Sequence, residues 1–131
     1  MSLPARAILA ALSASVGTSN VARADVKDYE FQLVDPAMKV GPNTVIRVRL
    51  LNKVAGKPVP AAVIFATRLD MAPDGMGEMT TKISLVPDTE PGIYKFEANV
   101  SMAGHWQLSL GAKVQGETGT VESHLVMLAQ P

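Results

Sequence analysis

The chain has 131 residues, with 12 basic and 12 acidic side chains, so it is formally neutral and of a length that fits one domain. No basic cluster and little aromatic content argue against nucleic acid. Absence of cysteine excludes a disulfide, a thiolate ligand and a cysteine nucleophile. Hydrophobic residues make up 47% and charged residues 18%, enough apolar material for a packed core.

Residues 1–24 read as a cleaved signal peptide. Arg6 supplies a short positive region, Ala7 to Val16 is an apolar run, and Ala22-Arg23-Ala24 gives the small-x-small pattern before a cut. The run is shorter than the ~20 residues that span a bilayer. Export to the periplasm is therefore expected, with residues 25–131 as the working domain and no stable membrane insertion after cleavage. Losing Arg6 and Arg23 leaves that domain mildly acidic.

From Asp28 the chain alternates. Tyr29, Phe31 and Leu33 oppose Glu30 and Gln32, the period-two signature of a half-buried strand. After turn signals at Asp35-Pro36 and Gly41-Pro42-Asn43, Ile46, Val48 and Leu50 oppose Arg47 and Arg49. A third strand is expected over Ala61 to Leu69, with Val63, Phe65 and Thr67 on one face and Ile64, Ala66 and Arg68 on the other. Thr80 to Val86 reads as one short strand with Ile83 and Leu85 inward. Tyr94, Phe96, Ala98 and Val100 then alternate with Lys95, Glu97 and Asn99. His105 to Val114 places Trp106, Leu108, Leu110 and Ala112 inward, and Thr120 to Leu128 closes the domain. About seven short strands and no helix predict an all-β fold, an immunoglobulin-like antiparallel β-sandwich with Trp106 at its centre.

Between the third and fourth of these strands lies Leu69-Asp-Met-Ala-Pro-Asp-Gly-Met-Gly-Glu-Met79. It holds Met71, Met76 and Met79, three of the seven methionines, among Pro73, Gly75 and Gly77. The segment reads as a loop whose glycines let the sulfurs fold toward one point. Thioether sulfur is a soft donor that selects Cu(I). The competing assignment is that these flexible side chains fill the open end of the core. Met102 and His105 flank the turn before the Trp106 strand, and alternation turns His105 away from the core. If that turn and the methionine loop share an end of the sandwich, Met102 and His105 join the candidate metal site. His124 and Met127 resemble a chelating pair, but strand parity puts them on opposite faces, with His124 beside Glu122 at the surface and Met127 in the core. Met38 sits in a turn before the second strand, with no role assigned to it. Asp70, Asp74 and Glu78 read as solvated loop acids. With no Gly-x-Ser-x-Gly elbow, no phosphate-cradling loop and no nucleophile–base constellation, catalysis is not expected.

The methionine segment, followed by Pro-Gly-Ile-Tyr-Lys-Phe-Glu-Ala-Asn-Val-Ser-Met-Ala-Gly-His-Trp, resembles the YtkA-like / FixH family of small exported or membrane-anchored immunoglobulin-like domains. The matching positions are Met71, Met76 and Met79, then Gly92 and Tyr94, then Met102, Gly104 and Trp106. The resemblance runs from about Val45 to Val114 and implies copper handling. The chain departs from the pattern by lacking a histidine among the loop methionines and by carrying His105 where another polar residue often stands. It also lacks a FixH-type transmembrane helix. The expectation is a periplasmic Cu(I) carrier or buffer, with Met71, Met76, Met79, Met102 and His105 as metal ligands and an envelope protein that donates or receives copper as partner. The alternative is a non-metal interaction module of an envelope or efflux complex.

Overall fold

The computed structural model describes residues 26–131. The expected leader and its cleavage site, residues 1–24, lie outside the described residues. Ten strands follow in order: β1 (Tyr29–Leu33), β2 (Ala37–Lys39), β3 (Gly41–Asn52), β4 (Lys57–Pro58), β5 (Val63–Met71), β6 (Met76–Thr81), β7 (Ile83–Val86), β8 (Ile93–Val100), β9 (Gly104–Lys113) and β10 (Val121–Gln130). Two 3-10 turns, Val26–Asp28 and Ala72–Asp74, complete the elements.

The strands form two five-stranded sheets. One runs β1-β3-β8-β7 with β4 also on β3, and the other runs β2-β10-β9-β5-β6. All pairings are antiparallel except β2, which runs parallel to β10. The all-β sandwich is as expected from the alternation. Each inward row is apolar because successive side chains point to opposite faces of a strand, and burying those rows is what holds the two sheets together. Ile46, Val48 and Leu50 on β3 and Phe96, Ala98 and Val100 on β8 belong to one core with Trp106, Leu108, Leu110 and Ala112 on β9 of the other sheet. Trp106 is fully buried. Tyr94 is half-buried, packs edge-to-face on Phe31 at 6.4 Å, and ties down the β4–β5 connection. Its hydroxyl donates to the Val59 carbonyl at 2.7 Å and accepts the Ala62 N–H at 2.9 Å.

Three expectations change. The segment Thr80 to Val86 is not one strand: β6 and β7 belong to different sheets, and the chain crosses between them at Lys82. Leu85, expected inward, is half-exposed on the edge strand β7. In β5 the parity breaks at Phe65, because Ile64 pairs with Ala112 and Ala66 pairs with Gly111. This bulge turns Phe65 out so that its ring lies across Gly111, a position with no side chain to obstruct it. β2 and β4 are too short for a periodic signal and are set by their neighbours. Among the described residues no helix is long and apolar enough to cross a membrane.

Outside the core, Arg47 on β3 grips the β7–β8 turn. Its Nε lies 3.0 Å from Asp88 Oδ2 and its Nη2 3.6 Å from Glu90 Oε1. The Glu90 backbone N–H also donates to Asp88 Oδ1, at 2.9 Å. That N–H, and then the Arg47 guanidinium, hold the Asp88 carboxyl below the usual carboxylate range against a smaller opposing effect of burial. A depressed carboxyl stabilises the fold above its unfolded value of ~4 and loses that contribution as pH falls through the native value. We therefore predict that Asp88→Asn is less stable than the parent chain at pH 7 and that the gap shrinks below about pH 4. Urea midpoints of the two chains between pH 7 and pH 2.5 check this, and a gap independent of pH contradicts it.

Candidate functional site

The methionine segment is built from the end of β5. Leu69 and Met71 point inward and are fully buried. Between them Asp70 faces outward, yet it is only 4% exposed. Its carboxylate accepts Arg68 Nε at 2.7 Å and the Ala72 N–H at 2.9 Å, which bends the chain into the Ala72–Asp74 turn. Pro73 suits the start of such a turn because it has no N–H to satisfy. Gly75, at φ 77°, closes it by donating to the Ala72 carbonyl at 2.8 Å. The chain then returns as β6, with Met76 directly opposite Met71.

The segment is therefore not the open loop expected from its glycines. Only Ala72 to Gly75 turn, and Met76 and Met79 belong to edge strand β6. Pairing passes from Asp70–Thr80 to Met71–Met76, so Gly77, Glu78 and Met79 have no counterparts on β5 and form a bulge. Arg68 pins this bulge from the side, its Nη2 donating to the Gly77 carbonyl at 2.9 Å. Two of the three segment acids thus have structural work. Asp70 starts the turn, and Asp74 reaches across to β9.

The methionines are graded in exposure. Met71 is a core residue with no exposed surface. Met76 and Met79 are half-buried and pack on the core, so these side chains fill gaps at its edge. Met102, in the β8–β9 turn, is 38% exposed. That turn is fastened from below by Trp106, whose indole Nε1 donates to the Met102 carbonyl at 3.1 Å.

The two segments do share one end of the sandwich. Gly104 begins β9 at φ 138°, and a Cβ there would lie 2.6 Å from the Met71 methyl and 2.7 Å from Asp74 Oδ2. The next residue, His105, donates its backbone N–H to Asp74 Oδ2 at 2.8 Å, and its ring Nδ1 lies 3.0 Å from Asp74 Oδ1. The backbone N–H of His105, followed by its ring, holds the Asp74 carboxyl below the usual range. The His105 side chain is exposed, as strand parity required. The turn between Met71 and Met76 thus reaches Gly104 and His105 through Asp74, with Met79 on the adjoining bulge and Met102 on the adjoining turn; Met71 faces the core and His105 faces solvent.

Met127 is buried and His124 exposed on opposite faces of β10, so they form no chelating pair. His124 instead lies beside Ser109, with Nδ1 2.9 Å from Oγ. Met38 is buried on β2 and lines a cleft of about 270 Å³ between the sheets together with Met127. Among the described residues no three of His, Cys, Asp and Glu gather as a metal site would require. The soft donors are what this end offers. Asp74, expected as a solvated loop acid, is instead bonded to His105. Its Pro-Asp-Gly context marks a turn, but nothing local points to a partner 31 positions later.

A family model described as YtkA-like matches residues 23–111. A comparison with curated proteins gave no match. Among solved structures, the chain resembles a ZirS C-terminal domain at 9% identity and a TM-score of 0.48, covering 88% of this chain and 81% of that one.

The contact at Gly104 admits no side chain without moving a buried methyl group or breaking the hold of Asp74 on His105, and the backbone there disfavours any L residue. Gly104→Ala is predicted to destabilise the chain by about 2–4 kcal/mol. Chemical denaturation measures the loss, and amide exchange should show the His105 N–H losing protection. A variant as stable as the parent contradicts this account of the turn.

Proposed function

Since the chain belongs to the YtkA-like family, we propose that it is a periplasmic Cu(I)-binding protein, a carrier or buffer that takes the ion at the end of the sandwich formed by β5, β6 and the β8–β9 turn. The observation that carries this reading is the joining of the methionine segment to the Met102–His105 turn through Gly104 and Asp74. Met71, Met76 and Met79 supply thioethers, with Met102 or His105 completing the site. Thioether favours Cu(I) over harder divalent ions, and imidazole also suits copper. The site has no thiolate to be oxidised, which suits an exported protein. Copper here is cargo, to be handed to or received from an envelope protein, and no catalytic step is proposed.

A second reading, a non-metal interaction module, is favoured by one feature. Val126 is 46% and Leu128 38% exposed on the outer face of β10, where Leu128 lies opposite His105. On that reading the methionines are core and the outer face of β10 meets a partner subunit.

Titration separates the two. Purified chain beginning at Asp25 should withdraw about one equivalent of Cu(I) from a chromophoric chelator. Met76→Leu preserves volume, so it should leave stability within about 1.5 kcal/mol while weakening Cu(I) roughly tenfold or more. A folded chain that takes no Cu(I) from the chelator overturns the metal reading.

A further inference from the structure

We propose that Asp74 is a positioning residue, which holds His105 as the Nδ1–H tautomer and presents Nε2 to solvent as the outermost donor of the methionine end. The proposal rests on the metal reading for its use, but its structural half stands without metal.

Both Asp74 oxygens are committed to one residue. Oδ2 accepts the backbone N–H of His105 at 2.8 Å, and Oδ1 sits 3.0 Å from ring Nδ1. A carboxylate can only accept, so the ring must donate from Nδ1, and in the neutral imidazole the lone pair is then left on Nε2. The backbone bond fixes where the carboxylate sits relative to β9, and the ring bond then fixes the imidazole plane. With Nδ1 engaged, Nε2 lies on the far side of the ring from Asp74, in a side chain that is 53% exposed. A carboxylate behind a ligating histidine is a general way of setting tautomer and orientation.

Three features keep Asp74 in place. Gly75 closes the turn that carries it by donating to the Ala72 carbonyl. Asp70 starts the same turn through the Ala72 N–H. Gly104 leaves open the space in which Asp74 Oδ2 reaches β9. The donors are then ordered by depth, from buried Met71 through half-buried Met76 and Met79 to exposed Met102 and His105. His105 is the ligand that an arriving ion meets early and a departing ion leaves late. It is a ligand of entry and transfer, and not part of the floor of the site.

Long-range 1H–15N correlation spectra of the metal-free chain, with the rings neutral, read the tautomer directly. His105 is expected as Nδ1–H with unprotonated Nε2. In Asp74→Asn the amide can donate to Nδ1, so the signal is expected to move to the Nε2–H form. An Nε2–H ring, or an even mixture, in the parent chain overturns the proposal, whatever the chain does with copper. The second arm measures Cu(I) transfer to a chromophoric chelator. Asp74→Asn and His105→Ala are each expected to change the transfer rate about tenfold or more, against a smaller change in stability. Normal Cu(I) affinity and transfer in Asp74→Asn overturn the positioning role and leave the metal reading intact. A locked Nδ1–H tautomer in a chain that takes no Cu(I) supports the tautomer assignment and overturns the metal reading alone.

Discussion

The register of β9 is the constraint on which both the core and the candidate site depend. β9 lies at the centre of its sheet, paired with β10 on one side and β5 on the other. It carries Trp106, Leu108, Leu110 and Ala112 into the core. A slip of one residue would turn all four to solvent, so burial specifies the register strongly. The start of β9 is specified again, from outside the core, by the close approach at Gly104. There the Met71 methyl and the Asp74 carboxylate occupy the space a side chain would need. Trp106 adds a third tie through its bond to the Met102 carbonyl. The apolar requirement and the polar requirement therefore agree on one placement of the strand, and that placement puts His105 at the rim beside the methionine segment.

The parts of the fold legible in the sequence are those where alternation runs without interruption. β1, β3, β8 and β9 place their inward rows as their period predicts, and the demotion of His124 and Met127 as a pair follows from parity on β10. The illegible parts are those where parity is broken or the strand is too short to show one. The bulge at Phe65 turns the first half of β5 over, and the crossing at Lys82 splits an apparently continuous strand between two sheets. The glycines of the methionine segment predict a loop, but strand parity carries on through its start. Leu69 and Met71 share a face, and that relation alone places Met71 in the core. Gly77 sits in a strand bulge, which is the other common use of a glycine near a strand. The bond between Asp74 and His105 had no local signal, because it depends on the path of three intervening strands.

The chemistry of the candidate residues also has a physical logic within the fold. A site made of several carboxylates and histidines must keep its charges hydrated or partnered, since burying an unpaired charge is costly. A thioether carries no such penalty. Met71 can be fully enclosed, and Met76 and Met79 can lean on the core, while the fold keeps an ordinary packed interior. The one candidate residue that does need a hydrogen-bond partner, His105, lies at the surface beside exposed Met102, and it has a partner. The Asp74 carboxylate satisfies His105 Nδ1 and backbone N–H together, leaving the solvent side of the ring to water. The grading from core to rim is thus what the chemistry of the side chains favours even before any ion arrives. On the Cu(I) reading it gives soft donors that pack within the fold, with a single polar donor at the rim.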